Sequence, residues 1–132
     1  MIHFKVFKKL PRYISKYFPV LFNSSSECNE DECIIVMYED VLPIGCCCIE
    51  SEDSIIDNNG NIKINLHIHK FEIRPRYRGK GYGKQMFKHI TKFPINKISL
   101  VYLDEPALLF WKSLGFCKES EDSSNLYKIL QK

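Results

Sequence analysis

Apolar and polar positions alternate most clearly in "NIKINLHIHKFEIRP". Ile62, Ile64, Leu66 and Ile68 fall on one side, and Lys63, Asn65, His67, His69, Phe71 and Ile73 on the other. A period of two over this length predicts a strand, and Pro75, which has no N–H for a ladder, ends it. Two shorter apolar runs precede it, "CIIVMYED" and "VLPIGCCCIES". They predict two strands joined by a tight hairpin. "EDSIIDNNGN" reads as turn-rich, with Asn59-Gly60 at its tip. Upstream, "MIHFKVF" reads as a first strand, "LPRYISKYFPVLFNSS" as a helix broken near Pro19, and "SSSECNEDE" as a polar loop.

After Pro75 the period changes. Tyr82, Met86, Ile90 and Phe93 recur at helical spacing, with Lys84, Lys88 and Lys92 on another face and Pro94 as the stop. "KISLVYL" predicts a strand. "DEPALLFWKSLGF" predicts a short helix with Asp104 at the N-cap, Pro106 in the first turn and Gly115 just past the end. "CKESEDSSNLYKIL" predicts a closing hairpin. Strands and helices in this order predict an α+β fold with helices on both sides of a mixed sheet.

A length of 132 residues with 45% hydrophobic and 27% charged residues predicts one domain, residues 1–132, with one core. The basic N-terminus lacks the unbroken apolar stretch of a signal peptide, and no run is long enough to span a membrane, so no membrane partner is expected. With six cysteines and no such signal, the predicted location is intracellular, cytoplasmic or nuclear, with reduced thiols. Cys46, Cys47 and Cys48 are adjacent and on a strand point to alternate faces, so they do not form one chelating set. Cys28 and Cys33 with one of them are the remaining zinc option, but buried thiols acting as small hydrophobes are the favoured reading, and no metal site is expected.

Charge is segregated along the chain. Residues 27–57 carry ten acids and no Lys or Arg, whereas residues 70–92 carry eight Lys or Arg and one acid, Glu72. The basic stretch surrounds "RYRGKGYGKQMFKHI", where Gly79, Gly81 and Gly83 stand just ahead of a helix. Glycines let a ligand approach the backbone closely, and a helix N-terminus offers unpaired amides and partial positive charge. Together they suit a phosphate. The dinucleotide fingerprint fails because its third glycine would fall on Lys84 or Met86. The P-loop pattern fails because Gly83-Lys84 is followed by Gln85.

Arg78-x-x-Gly81-x-Gly83 matches the R/Q-x-x-G-x-G/A motif of the GNAT superfamily of acyl-CoA N-acyltransferases. "FEIRPRYRGKGYG" and "DEPALLFWKSLGF" are similar to that family's two conspicuous segments, in register, over roughly residues 62–117. The resemblance implies a mostly antiparallel central sheet of about six to seven strands flanked by helices, with a V-shaped splay between the two central strands. It implies acetyl-CoA as cosubstrate and transfer of its acetyl group to a primary amine: a protein lysine, an N-terminus or a small polyamine. A CoA-binding module without catalysis on the same fold is the alternative.

The resemblance also implies residue roles. Backbone groups near Phe71, Ile73 and Pro75 bond the pantetheine and polarise the thioester. Amides from Gly79 through Lys80, Gly81, Tyr82 and Gly83 to Lys84 hold the phosphates, with charge from Arg76, Arg78 and Lys80. The position of the family's general base, eleven residues before the motif's first residue, is His67. His69 is a second candidate, and a strand bulge presents Glu72 instead. Where the family often has an acid Tyr, this chain has Trp111, a donor that does not titrate usefully. The family's helix-start Asn is Asp104. Tyr102, Tyr127 or water are left to protonate the departing thiolate. The acidic N-terminal half predicts an amine-bearing acceptor such as a cationic protein or a polyamine. The inward aromatics of "KQMFKHITKF" argue against nucleic acid. A monomer or a homodimer is expected.

Overall fold

In the computed structural model, which describes residues 1–19 and 28–130, three helices and seven strands form the framework. The order is β1 (Ile2–Phe7), α1 (Arg12–Ser15), β2 (Glu32–Glu39), β3 (Leu42–Ile56), β4 (Ile62–Ile73), a 3-10 turn (Pro75–Tyr77), α2 (Tyr82–Ile90), β5 (Ile95–Val101), α3 (Glu105–Ser113), β6 (Cys117–Lys118) and β7 (Asn125–Ile129). The strands make one sheet in the order β1-β2-β3-β4-β5-β7-β6. It is mostly antiparallel, and β4–β5 is a parallel pair. This is the α+β fold that the sequence predicts. The chain divides into two compact units, residues 1–50 with 69–92 and residues 51–68 with 93–132, and β3 and β4 run through both.

In the first unit, β2 is buried on both faces from Ile34 to Tyr38. One face carries Ile34, Val36 and Tyr38, which join Cys46, Cys48 and the α1 segment's Leu10, Ile14 and Phe18 in one core cluster. On the other face Gly45 lies so close to Ile73 and Met86 that a Cβ there would meet Ile73 Cδ1 at 2.7 Å. The three consecutive cysteines therefore alternate as a strand requires. Burial pushes the Cys48 thiol up to about 12, and Cys46 and Cys47 higher still. They behave as small hydrophobes. The β2–β3 hairpin turns at Asp40, whose φ of 55° is a left-handed value that aspartate tolerates.

The second unit is held by the β4–β5 pair, which shifts register between Ile64, opposite Ile95, and Asn65, opposite Lys97, and then runs on to Ile68 opposite Leu100, and by β5–β7 from Lys97 opposite Ile129 to Val101 opposite Asn125. Its core holds Leu66, Ile98, Leu108, Trp111, Phe116 and Leu126.

Three local expectations are corrected. The helix predicted over residues 10–25 is only the turn Arg12–Ser15 in the described chain, and its part beyond Pro19 lies outside the described residues. The turn-rich reading of "EDSIID" is wrong, because β3 continues to Ile56 and the turn begins at Asp57, whose Oδ1 accepts from the amides of Asn59 and Asn61 at 2.9 Å. The apolar residues of Ser51–Ile56, Ile55 and Ile56, are adjacent and exposed, so no apolar alternation announces a strand there. Finally, α2 ends at Ile90, so Phe93 lies beyond it and is 40% exposed, while Phe87 is buried instead.

Candidate functional site

β4 carries the first unit toward the glycine loop, and several side chains fix its exit. Ile73 is buried. The Arg74 amide donates to the Ile44 carbonyl at 2.9 Å, and its guanidinium donates to the Pro43 carbonyl at 3.0 Å while lying 4.4 Å from the Tyr17 ring. Pro75–Tyr77 turns the chain. Arg78 then reaches back, its Nε donating to the Ile73 carbonyl at 2.7 Å. The motif's arginine thus ties the loop to the end of β4. Tyr82 OH donates to Glu39 at 2.6 Å, which raises the phenol's pKa and anchors the first residue of α2 to β2. Arg76, Lys80 and Lys84 are exposed, with Lys80 Nζ 5.9 Å from the Tyr77 ring.

Between these anchors the backbone is left open. Gly79 has φ 76° and Gly81 φ 86°, and a Cβ on either would meet nothing within 4 Å. These are left-handed conformations that glycine adopts without penalty. Gly81 is the N-cap of α2, and the Gln85 amide donates to its carbonyl at 3.1 Å. The amides of Tyr82, Gly83 and Lys84 thus precede the first intrahelical bond. Gly83 lies inside the helix, so its need for glycine is not conformational. A cradle of this kind, open and lined by amides at a helix start, suits a phosphate group.

The proton-handling candidates separate. In the second unit His67 on β4 faces Ser99 on β5, and Ser99 faces Tyr127 on β7. Residues opposite one another share a sheet face, so two sequence candidates, His67 and Tyr127, sit in one row with Ser99 between them. His67 Nδ1 is 2.8 Å from Ser99 Oγ, and Ser99 Oγ donates to Glu52 at 3.5 Å. In the tautomer whose Nδ1–H donates to Ser99 Oγ while the Ser99 hydroxyl donates to Glu52, Nε2 carries the imidazole lone pair. Neither Ser99 nor Glu52 stands out in the sequence. The β4–β5 register brings Ser99 to His67, and Glu52 on β3 reaches Ser99.

His69 belongs to the first unit. Its Nε2 lies 2.5 Å from Glu50 Oε1 and 3.7 Å from Glu32 Oε2. Glu72 is half-buried, and burial raises its pKa against the pull of Arg78. Phe71 is half-buried on the same strand.

In the second unit, Asp104 caps α3 by accepting from the Ala107 amide at 2.9 Å. Trp111 is 5% exposed and packs edge-on against Phe110 and Phe116 with centroids 4.9 and 5.1 Å away. Both residues therefore have structural work in α3, the cap and the core, independent of any ligand. Tyr102 is half-buried, its ring 5.7 Å from Lys118 Nζ.

Residues 4–116 match the acetyltransferase (GNAT) family. The chain belongs to that family. No curated protein sequence is similar enough to count as a relative. Solved structures share its fold at low identity. NAA60 of Arabidopsis thaliana in complex with a bisubstrate analogue is 11% identical with a TM-score of 0.69, over 99% of this chain and 100% of that one. The KacTA–DNA complex is 14% identical with a TM-score of 0.68, over 98% and 93%. The AtaT Y144F mutant toxin, bound to the C-terminus of the antitoxin AtaR and to acetyl-CoA, is 13% identical with a TM-score of 0.67, over 97% and 92%.

These structures correct the expected partners. The sequence argues for an amine-bearing acceptor, such as a cationic protein or a polyamine, and against nucleic acid, with the chain a monomer or homodimer. Yet proteins of this fold occur in complexes with DNA and with an antitoxin protein. Inward aromatics on one helix describe that helix alone, so they do not exclude nucleic acid, and the expected absence of a nucleic-acid partner does not stand. No described helix is long and apolar enough to cross a membrane.

Proposed function

We propose that this member of the family is an acetyl-CoA-dependent N-acetyltransferase that moves the acetyl group to a primary amine by direct attack. One observation carries the reading: Gly79 and Gly81 hold left-handed backbone with open space around them, directly ahead of the unpaired amides of α2. The amides from Gly79 to Lys84 take the pyrophosphate, with Arg78 holding the loop in place and Lys80 and Lys84 adding positive charge. The backbone from Phe71 to Pro75 takes the pantetheine arm. When bound, acetyl-CoA supplies the thioester.

The amine must lose a proton before it attacks. With a pKa near 10.4 this costs about 4–5 kcal/mol at pH 7. His67 accepts that proton at Nε2, directly or through water, while Ser99 and Glu52 hold its ring and tautomer. A base so placed contributes about 10²–10⁴-fold. Tyr127, in the same row, is the candidate donor to the leaving thiolate. His69 and Glu72 are the weaker base candidates, the first because it is engaged by two carboxylates and the second because it is half-buried beside Arg78's tether.

The test is amine-dependent release of CoA thiol. His67→Gln is expected to lower kcat about a hundredfold or more with the KM for acetyl-CoA little changed, and Ser99→Ala is expected to lower it less. An unchanged kcat in His67→Gln removes the base assignment. A second reading, CoA binding without catalysis, is favoured by Trp111, which is buried and offers no titrating hydroxyl where the family often has tyrosine. It predicts acetyl-CoA binding with no thiol release from any amine.

A further inference from the structure

Three neighbouring strands of the first unit each bring one metal-ligating side chain to a single point. Glu32 opens β2 and stands opposite Glu50 of β3 in the antiparallel register. His69 comes from β4. The donor atoms of all three lie within 4.8 Å of one another. His69 Nε2 is 2.5 Å from Glu50 Oε1 and 3.7 Å from Glu32 Oε2. The other oxygen of Glu32, Oε1, accepts from the Asn29 amide at 2.9 Å, which turns Oε2 toward the imidazole. Such an outer bond orients a ligating carboxylate.

Divalent ions bind imidazole and carboxylate at about 2.0–2.2 Å, which sets neighbouring donor atoms roughly 3.0–3.5 Å apart. The two separations from His69 bracket that range, and all three donor atoms lie within 4.8 Å of one another, so side-chain adjustment of about an ångström would seat an ion. Two carboxylates directly opposite each other on a sheet repel. A double positive charge between them removes that cost. The side chains of Glu32, Glu50 and His69 are 18%, 33% and 36% exposed, so the point is reachable from water and leaves room for water ligands.

The donor set also says which ion. Two carboxylates would suit calcium or magnesium, but an imidazole favours a first-row transition ion. No cysteine belongs to the cluster among the described residues, so this is not the thiolate set weighed from the sequence. We propose that Glu32, Glu50 and His69 bind one divalent first-row transition-metal ion, such as zinc, through His69 Nε2 and one oxygen of each glutamate. The ion pins β2, β3 and β4 together, and a metal-bound His69 is a structural ligand and not a base.

The chelator-treated full chain is titrated with Co²⁺, followed by its visible spectrum, and then with Zn²⁺ in competition. Saturable binding of one ion per chain is expected, with d–d bands and no thiolate-to-cobalt charge-transfer band, and with displacement by Zn²⁺. His69→Gln and Glu50→Gln should each weaken binding at least tenfold, while Cys117→Ser, at an exposed thiol, should leave it unchanged. Zn²⁺ should raise the Tm of the wild type and not of the two variants. If either variant fails to fold, Glu32→Gln and the wild-type spectrum decide. Absence of saturable binding, a thiolate band, or unchanged binding in folded variants overturns the proposal.

Discussion

Gly81→Ala separates the shape of the loop from its purpose. The left-handed backbone at Gly81, φ 86°, costs a non-glycine residue roughly 1–2 kcal/mol. Alanine's stiffer unfolded chain returns about 0.4–1 kcal/mol. No steric term is added, because a Cβ there meets nothing within 4 Å. The net loss is about 0.5–1.5 kcal/mol, a fall in Tm of roughly 2–6 °C for a chain this size. Gly60 supplies a matched control. It has φ 81°, the same open surroundings and a place at a hairpin tip. Gly60→Ala should therefore cost about as much stability. The two variants diverge in ligand binding. A methyl at Gly81 fills the space where a phosphate would lie and displaces at least one amide from it. A hydrogen bond to a charged group is worth about 1.5–3 kcal/mol, so acetyl-CoA affinity should fall roughly ten- to a hundredfold. Gly60→Ala should bind as the wild type does. Thermal melts and calorimetric titrations of both variants give the comparison. Equal acetyl-CoA affinity in Gly81→Ala and Gly60→Ala would refute the reasoning, because the open glycines would then serve the turn alone.

Three further outcomes follow from single side chains. Glu72 has a folded pKa raised by burial, so its contribution to stability is present below the unfolded value of about 4.3 and is lost as pH rises through the folded one. Glu72→Gln should therefore raise Tm at pH 7, with the gain shrinking toward pH 4, and a Tm that falls at pH 7 counts against this. His89 is stacked on Phe4 at 3.9 Å with a buried Nδ1 that has no partner, and burial, then Lys92, lowers its pKa. Its stability is whole above about pH 6.5 and is lost as pH falls through the folded value. His89→Phe should keep the stack, relieve roughly 1 kcal/mol from the orphaned nitrogen and flatten the fall of Tm between pH 7 and pH 5. Asp104→Ala should cost about 1 kcal/mol through loss of the α3 cap while Asp104→Asn costs little, as chemical denaturation would show.

Much of the fold is written in local periodicity. β2 follows from an apolar run, β4 from alternation, α2 from helical spacing and α3 from the caps at Asp104 and Gly115, because in those segments local preference and burial agree. The exposed end of β3 was not legible, since no apolar alternation marks Ser51–Ile56 as a strand. The first helix is shorter than "LPRYISKYFPVLFNSS" predicts, because in the described chain it stops at Ser15, one turn after Pro11 starts it. At the candidate site the open glycines were legible from spacing, whereas the duty of Arg78 was not. A cation beside a glycine loop suggests charge for a ligand, but its Nε is committed to the Ile73 carbonyl. The partners of the two histidines were hidden for another reason. Ser99 reaches His67 and Glu52 reaches Ser99, while Glu32 and Glu50 reach His69, through strand pairing, which no linear spacing encodes.

The central claim is that the loop from Gly79 to Lys84 holds the phosphates of acetyl-CoA. Calorimetric titration of the purified chain with acetyl-CoA, beside NAD and ATP, tests it most directly. The account predicts saturable binding of acetyl-CoA, one per chain, with NAD and ATP at least tenfold weaker. No binding of acetyl-CoA, or equal binding of all three, would contradict it.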